Sequence, residues 1–141
     1  MLLVEDNELN MEIATEILKM ADVKVECVHN GREAVDQVLN SEADYYDLVL
    51  MDIQMPIMNG YEATQAIRNS NHPNAKSLPI LAMTANAFVE DIALAKEAGM
   101  NAHIAKPIDV SCIQRLPRFS RRHRTGIPIT GCWRIKAYGI R

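Results

Sequence analysis

The chain has 141 residues, a length that suits one domain with a single hydrophobic core, and 48% of them are apolar, which excludes wholesale disorder. Three widely spaced cysteines form neither a disulfide framework nor a zinc pattern, and no run of about 18 apolar residues predicts a membrane helix. We therefore expect a soluble, cytoplasmic protein. All 18 acidic residues precede residue 111, whereas residues 111–141 carry eight basic residues and no acidic one. This asymmetry predicts a body over residues 1–111 and a distinct basic tail over residues 112–141.

The first third of the chain alternates apolar runs with amphipathic segments. Leu2–Val4 predicts a short buried strand, and Asn7 predicts the cap of a first helix. The alternation of apolar and charged residues from Val23 to Cys27 predicts an edge strand with one solvated face. The apolar residues that we expect on the inner side of the first helix follow spacings of three and four: Leu9, Ile13, Ala14, Ile17, Leu18 and Ala21.

The rest of the body repeats this alternation. Asn30-Gly31 and Asn59-Gly60 mark turns into a second and a third helix, and Asp47–Met51 predicts a central parallel strand. Pro79–Met83 and Ala102–Ala105 predict two further strands. The expected inner positions of the second helix are Ala34, Val35, Val38 and Leu39. The third helix is expected to carry Tyr61, Thr64 and Ile67, and a fourth helix to run through Ile92, Ala95 and Ala98 and stop at Gly99. Five strands alternating with four helices predict an α/β fold with a parallel sheet covered on both faces.

Five polar residues stand where apolar runs end: Glu5, Asp6, Asp52, Thr84 and Lys106. In an open parallel sheet, sites form beyond the carboxyl ends of the strands, so these side chains are expected to converge. Taken singly, each has an ordinary explanation as a turn, capping or surface residue. Three carboxylates together require a cation, and an all-oxygen set favours Mg²⁺. A lysine and a hydroxyl beside them suit phosphoryl chemistry with a carboxylate nucleophile.

The sequence also resembles the receiver domain of bacterial response regulators and hybrid sensor histidine kinases. The segments that carry the resemblance, in order and spacing, are LLVEDNELN, HNGREAVD, YDLVLMDIQMPIMNGYEAT, PILAMTANA and AGMNAHIAKPID. Together they extend from residue 2 to about residue 110. The resemblance implies a flavodoxin-like, doubly wound sheet of five parallel strands in the order 2-1-3-4-5.

Carried over by position, the resemblance implies a phosphorelay protein that is not itself an enzyme. Asp52 would accept a phosphoryl group from the phosphohistidine of a histidine kinase or a histidine phosphotransfer domain. Asp6, Asp52 and the backbone carbonyl of Gln54 would bind Mg²⁺, and Glu5 would act through metal-bound water. Thr84 and Lys106 would hold the phosphoryl oxygens. Asn86 and Gln54 would influence how fast the phosphate is lost. The peptide bond between Lys106 and Pro107 would be cis.

The chain departs from the family pattern in three places. His103 stands where an aromatic residue is frequent, so an aromatic switch with Thr84 is not assured, and Asn59 replaces a frequent aspartate. From Val110 the family has a fifth helix, but here Pro117 interrupts the expected helical segment and an arginine-rich segment follows it. A truncated or altered fifth helix, and a tail of non-native origin, are the corresponding expectations. Apolar surface left bare there would favour a homodimer.

Two functions from other classes remain as alternatives. The first is a phosphotransferase or phosphatase with an aspartyl-phosphate intermediate, like the haloacid dehalogenase group, but that group has a second aspartate where this chain has Gln54. The second is a nucleic-acid-binding regulator acting through the basic tail and Trp133. No standard DNA-binding module fits about thirty residues without a recognition helix, so nucleic acid is not the expected partner.

Overall fold

A computed structural model describes residues 1–85, 89–109 and 136–137 of the chain. Within these ranges the alternation of strands and helices predicted from the sequence is confirmed. The strands are β1 (Leu2–Val4), β2 (Glu26–Val28), β3 (Val49–Asp52), β4 (Ile80–Thr84), β5 (Ala102–Ala105) and β6 (Lys136–Ala137). The helices are α1 (Glu8–Met20), α2 (Gly31–Leu39), α3 (Gly60–Arg68) and α4 (Val89–Ala98).

All strands lie in one sheet with the order β2-β1-β3-β4-β5-β6. The first five strands are parallel to their neighbours, which confirms the predicted five-stranded order 2-1-3-4-5. Strand β6 was not predicted, and it pairs antiparallel with β5, Ala102 opposite Ala137 and His103 opposite Lys136. The predicted altered fifth helix falls on residues outside those that the structure describes.

The side chains of the strands alternate between two apolar clusters, one on each face of the sheet. The larger cluster is covered by α2, α3 and α4, and its strand residues are Leu2, Val4, Val28, Val49, Met51, Ile80 and Ala82. Among the described helices, only α1 contributes to the cluster on the other face, through Ala14 and Leu18. Its strand residues are Leu3, Leu50, Leu81, Met83, Ala102 and Ile104.

Asparagine side chains begin three of the helices. Asn7, Asn30 and Asn59 each lie just before a helix in extended conformation, and each side-chain oxygen accepts a hydrogen bond from a backbone N–H in the first turn. Such caps satisfy one of the backbone donors that a helix start leaves without a partner. The Asn7 cap predicted from the sequence is confirmed. The two Asn-Gly pairs start helices because the asparagine caps the first turn, and because the glycine that follows lies so close to a neighbouring backbone segment that a side chain would not fit.

The second strand begins later than predicted. Helix α1 ends at Met20, with Ala21 as its C-cap, and is closed by Asp22, which has a φ of 58°. The N–H groups of Asp22 and Val23 donate to the carbonyls of Lys19 and Leu18, the pattern of a Schellman motif. Residue 23 is thus engaged in closing α1, and the sheet pairing starts only at residue 26.

Three apolar helix residues expected in the core are instead exposed: Leu9, Ile13 and Leu39. The apolar residues of α1 occupy more of its circumference than the sheet can cover. Ala14 and Leu18 face the sheet, so Leu9 and Ile13, one turn apart, point to solvent. In α2 the buried side chains end with Val38, and Leu39 lies on the outer side. The spacing of apolar residues predicts which side of a helix faces the sheet, but not how much of the helix circumference the sheet covers.

We expect Gly60→Ala to destabilise the protein by about 2 kcal/mol, because the chain has no room for a side chain there. A Cβ at Gly60 would lie 2.3 Å from the backbone oxygen of Asp52 and 3.0 Å from Cγ of Met51. Urea unfolding measures the effect. The control is Ala66→Gly in the same helix, which introduces no contact and should cost about 1 kcal/mol, mainly from helix propensity and in part from the packing of Ala66 against the core. A neutral or stabilising Gly60→Ala would contradict this account.

Candidate functional site

Three carboxylates meet at the carboxyl ends of β1 and β3. Glu5 and Asp6 directly follow β1, and Asp52 is the last residue of β3, the neighbouring parallel strand. One oxygen from each of the three lies within 4.8 Å of the others. Glu5 and Asp52 are buried, being 3% and 7% exposed, whereas Asp6 is exposed. The sheet thus brings together the three carboxylates that the sequence predicted.

Lys106 provides the positive charge at this edge. Its Nζ donates to Oε2 of Glu5 at 2.6 Å and lies 3.2 Å from Oδ1 of Asp52. The backbone N–H of Lys106 donates to the carbonyl of Thr84, which fixes the start of the loop after β5 to the end of β4. The bond between Lys106 and Pro107 is cis, as expected from the sequence. The lysine therefore lies between two carboxylates that come from different strands.

The pKa of the Asp52 carboxyl is raised to about 7, mainly by burial and in part by the charge of Glu5, although the charge of Lys106 acts in the opposite direction. Burial lowers the pKa of Lys106, but its hydrogen bond to Glu5 and the charge of Asp52 outweigh that effect and raise the pKa overall. One lysine among three carboxylates leaves a deficit of positive charge. An all-oxygen donor set with such a deficit fits a hard divalent cation.

Glu5 is engaged differently from the two aspartates. Its Oε1 accepts a hydrogen bond from the backbone N–H of Asn7 at 3.2 Å, while Oε2 accepts from Lys106. Among the residues that the structure describes, Glu5 is thus the carboxylate of the cluster with a protein donor on each oxygen, and the two aspartates have fewer such donors. Sequence reasoning missed both contacts of Glu5, because a backbone donor and a lysine 101 positions away leave no local signal.

Two further predicted residues, Thr84 and Gln54, lie at the same edge. Thr84 is the last residue of β4, next to β3, and is 8% exposed. Gln54 is exposed and lines, together with Asp6, a surface cavity of about 440 Å³. The other residues around this cavity are Ile53, Met55, Pro56, Asn59, Tyr61 and Asp91. His103 is buried in β5 opposite Ala82, and Asn86 lies outside the described residues.

A contact that the sequence did not predict connects the cavity to α4. The hydroxyl of Tyr61 donates to the backbone carbonyl of Asp91 at 3.3 Å, so the start of α3 is tied to the first turn of α4. Burial raises the pKa of Tyr61, and the neighbouring charge of Asp91 adds to the effect. The sequence predicted Tyr61 as a residue of the third helix, and the structure shows that it packs against the core cluster and also lines the cavity.

Comparison with known proteins identifies this arrangement. The family model of the response regulator receiver domain matches residues 1–116. Hybrid signal transduction histidine kinase B of Dictyostelium discoideum is 41% identical over 79% of this chain, and peroxide stress-activated histidine kinase mak1 of Schizosaccharomyces pombe is 35% identical over 76%. The chain spans only 6% and 7% of the lengths of these two relatives, so their other activities are not transferred to it.

Solved structures give the same result. The receiver domain of sensor histidine kinase PA1611 from Pseudomonas aeruginosa, with magnesium in its active site cleft, is 38% identical and superposes with a TM-score of 0.72, covering 81% of this chain and 89% of that one. The receiver domain of Ssk1 in complex with the histidine phosphotransfer protein Ypd1 of Saccharomyces cerevisiae is 28% identical, with a TM-score of 0.69 and coverages of 81% and 82%.

Among the described residues, none of the helices has the length and apolar character that crossing a membrane requires.

Proposed function

The chain belongs to the response regulator receiver family of two-component signalling, and we propose that Asp52 is its phosphoacceptor. The observation that carries the proposal is the position of this buried carboxylate, 3.2 Å from Lys106 and within 4.8 Å of Glu5 and Asp6. The phosphoryl group would come from a phosphohistidine: the P–N bond breaks, and an Asp52 oxygen forms the new P–O bond. The relatives named as histidine kinases, and a neighbour solved with a phosphotransfer protein, support this class of donor.

Asp6, Asp52 and the backbone carbonyl of Gln54 would hold Mg²⁺, and Glu5 would act through water. A bound Mg²⁺ neutralises carboxylate charge and ligates a phosphoryl oxygen. Lys106 would move its hydrogen-bond donors from the carboxylates to the phosphoryl oxygens, and the Thr84 hydroxyl would donate to them from the neighbouring strand end. Because the pKa of Asp52 is raised in the metal-free cleft, the nucleophilic carboxylate form should grow as the pH rises toward and past about 7.

The domain limits, location and assembly belong to the same proposal. The receiver unit would end near residue 111, with residues 112–141 as a separate basic segment, although the last strand contributes residues 136–137 to the sheet. The protein would work in the cytoplasm as a phosphoacceptor, without turning over a substrate of its own. A homodimer stays a prediction that sedimentation can test. Family membership and the glutamine at position 54 both argue against the haloacid dehalogenase alternative.

Labelling with acetyl phosphate and Mg²⁺ tests the proposed phosphoacceptor. Intact-mass measurement should find one phosphoryl adduct on the parent chain and none on Asp52→Asn. Asp47→Asn is the matched control, because Asp47 is an exposed aspartate just before the other end of the same strand, and it should be labelled like the parent. Equal labelling of Asp52→Asn, or a folded parent chain that is never labelled, would rule out the assignment.

A further inference from the structure

The loop between β3 and α3 displays an isoleucine in an unusual conformation. Ile57 has a φ of 70°, and the backbone N–H of Met58 donates to the carbonyl of Pro56 at 2.7 Å, which closes a γ-turn around Ile57. Its side chain is 81% exposed, more than any other large apolar side chain among the described residues. The turn therefore holds a β-branched residue in the left-handed region and points it into solvent.

Both features are unfavourable for the isolated domain. A positive φ is sterically costly for a β-branched residue, whereas asparagine or glycine adopts it readily. With four-fifths of its surface exposed, the Ile57 side chain gains little from burial in the core. Local strain that the fold does not use is a pointer to function at the place where it occurs.

The surrounding structure fixes this turn in position. The N–H of Gly31, at the start of α2, donates to the carbonyl of Met58 at 3.0 Å, and the N–H of Gly60 donates to the carbonyl of Ile53 at 2.9 Å. A Cβ at Gly31 would lie 2.5 Å from the Met58 oxygen, so α2 lies in direct contact with the loop. The isoleucine is presented by a loop that is held at both sides of the turn, which lowers the entropic cost of binding.

The turn also lies at the rim of the carboxylate cleft. Pro56, which begins the turn, lines the same cavity as Asp6 and Gln54. Asp52 is only 7% exposed, so a phosphohistidine that reaches it must bring the surface of its own protein over this rim. Leu9, in the first turn of α1 and three residues after Asp6, is a second apolar side chain that is largely exposed, at 64%. A donor as small as acetyl phosphate need not touch either residue.

We infer that Ile57 is a contact residue for a protein phosphohistidine donor, which it meets with an apolar surface next to the donor's histidine. This inference rests on the proposed phosphoacceptor function of Asp52 and adds a residue that determines which donors are accepted. Contact with the donor would bury the isoleucine side chain, which the strained turn holds in solvent in the free protein.

The test compares two donors on the same variants. Ile57→Asn and Ile57→Gly should accept a phosphoryl group from acetyl phosphate within about twofold of the parent rate, because the cleft is unchanged. Transfer from phosphorylated Ypd1 should be slower by about tenfold, the loss typical of an apolar contact at the centre of an interface. Unfolding midpoints should equal or exceed that of the parent, since both substitutions relieve the positive φ.

Met20→Asn is the matched control, since Met20 is 75% exposed at the last residue of α1, far along the helix from the cleft. The rate of phosphoryl transfer from Ypd1 to this variant should remain that of the parent.

The inference is overturned if Ile57→Asn accepts a phosphoryl group from Ypd1 at the parent rate, or if its transfer rates from both donors fall equally. It is also overturned if the parent accepts a phosphoryl group from acetyl phosphate but none from Ypd1. A dimer that Ile57→Asn dissociates, with transfer unchanged, would assign the side chain to self-association. If neither donor labels Asp52 in the parent, the proposed function itself fails.

Discussion

Asp52→Asn is expected to stabilise the metal-free protein by about 3 kcal/mol at about pH 8 and to have little effect at about pH 4. The pKa of Asp52 rises from its ordinary 3.8 to about 7 on folding, mainly because the carboxyl is buried. A folded-state pKa above the unfolded value means that the stabilising contribution is complete below about pH 4 and is lost as the pH rises through about 7. Asparagine carries no charge at either pH and avoids this loss.

Chemical unfolding in EDTA at the two pH values measures the effect. Asp47→Asn, which changes an exposed aspartate, should alter stability by less than about 0.5 kcal/mol at both. Adding Mg²⁺ should stabilise the parent at the higher pH and leave Asp52→Asn nearly unchanged, because a ligand stabilises only the state that binds it. If Asp52→Asn proves no more stable than the parent in EDTA at about pH 8, burial of the charged Asp52 carboxylate does not destabilise the folded protein as expected.

Arg68→Ala is expected to destabilise the protein by about 3 kcal/mol, although Arg68 lies far from the cleft. Its guanidinium donates to the backbone carbonyls of Gly99 and Ala75, both at 3.0 Å, and to Oδ1 of Asn101 at 2.9 Å. Burial lowers the pKa of this arginine, and all three acceptors are neutral. Alanine would remove three charge-assisted hydrogen bonds and leave their half-buried acceptors without those donors.

Thermal or urea unfolding checks this second prediction against Arg32→Ala. Arg32 lies 3.7 Å from Asp36 on the surface of α2, with both side chains more than half exposed, and its removal should cost less than about 0.5 kcal/mol. Arg68→Lys should fall between the two, because an ammonium cannot reach three acceptors arranged around a planar group. Equal effects of Arg68→Ala and Arg32→Ala would show that the three contacts contribute little to stability.

The fold could be predicted from the sequence because its signals are local. The apolar runs predicted the bounds of β1 and β5 correctly. Asn7 predicted the start of α1, because its side chain caps the helix by a hydrogen bond to a residue only three positions away. The errors arose where local signals compete. The alternation from Val23 to Cys27 suited a strand, but the Schellman closure of α1 uses its first residue, and sheet pairing begins only at Glu26.

The site was predictable for a different reason, since parallel strands carry residues from distant parts of the chain to one edge. That rule placed Glu5, Asp52 and Lys106 together without any knowledge of their distances. It could not give the pairing of Lys106 with Glu5, which depends on side-chain conformations set by the whole cleft. Arg68 escaped prediction because most of its acceptors are backbone carbonyls, and every residue type supplies one.

The contact between Glu5 and Lys106 joins residues 101 positions apart, one following the first parallel strand along the chain and the other following the last. A chain emerging from the ribosome would therefore expose its carboxylates long before the lysine that neutralises them is made. Until β5 has joined β4, the cleft has the acids without their cation, and the acids repel one another. If Asp52 is the phosphoacceptor, as we propose, competence to take up a phosphoryl group would arise only when the last parallel strand has joined the sheet, so phosphorylation would report that the parallel sheet has formed.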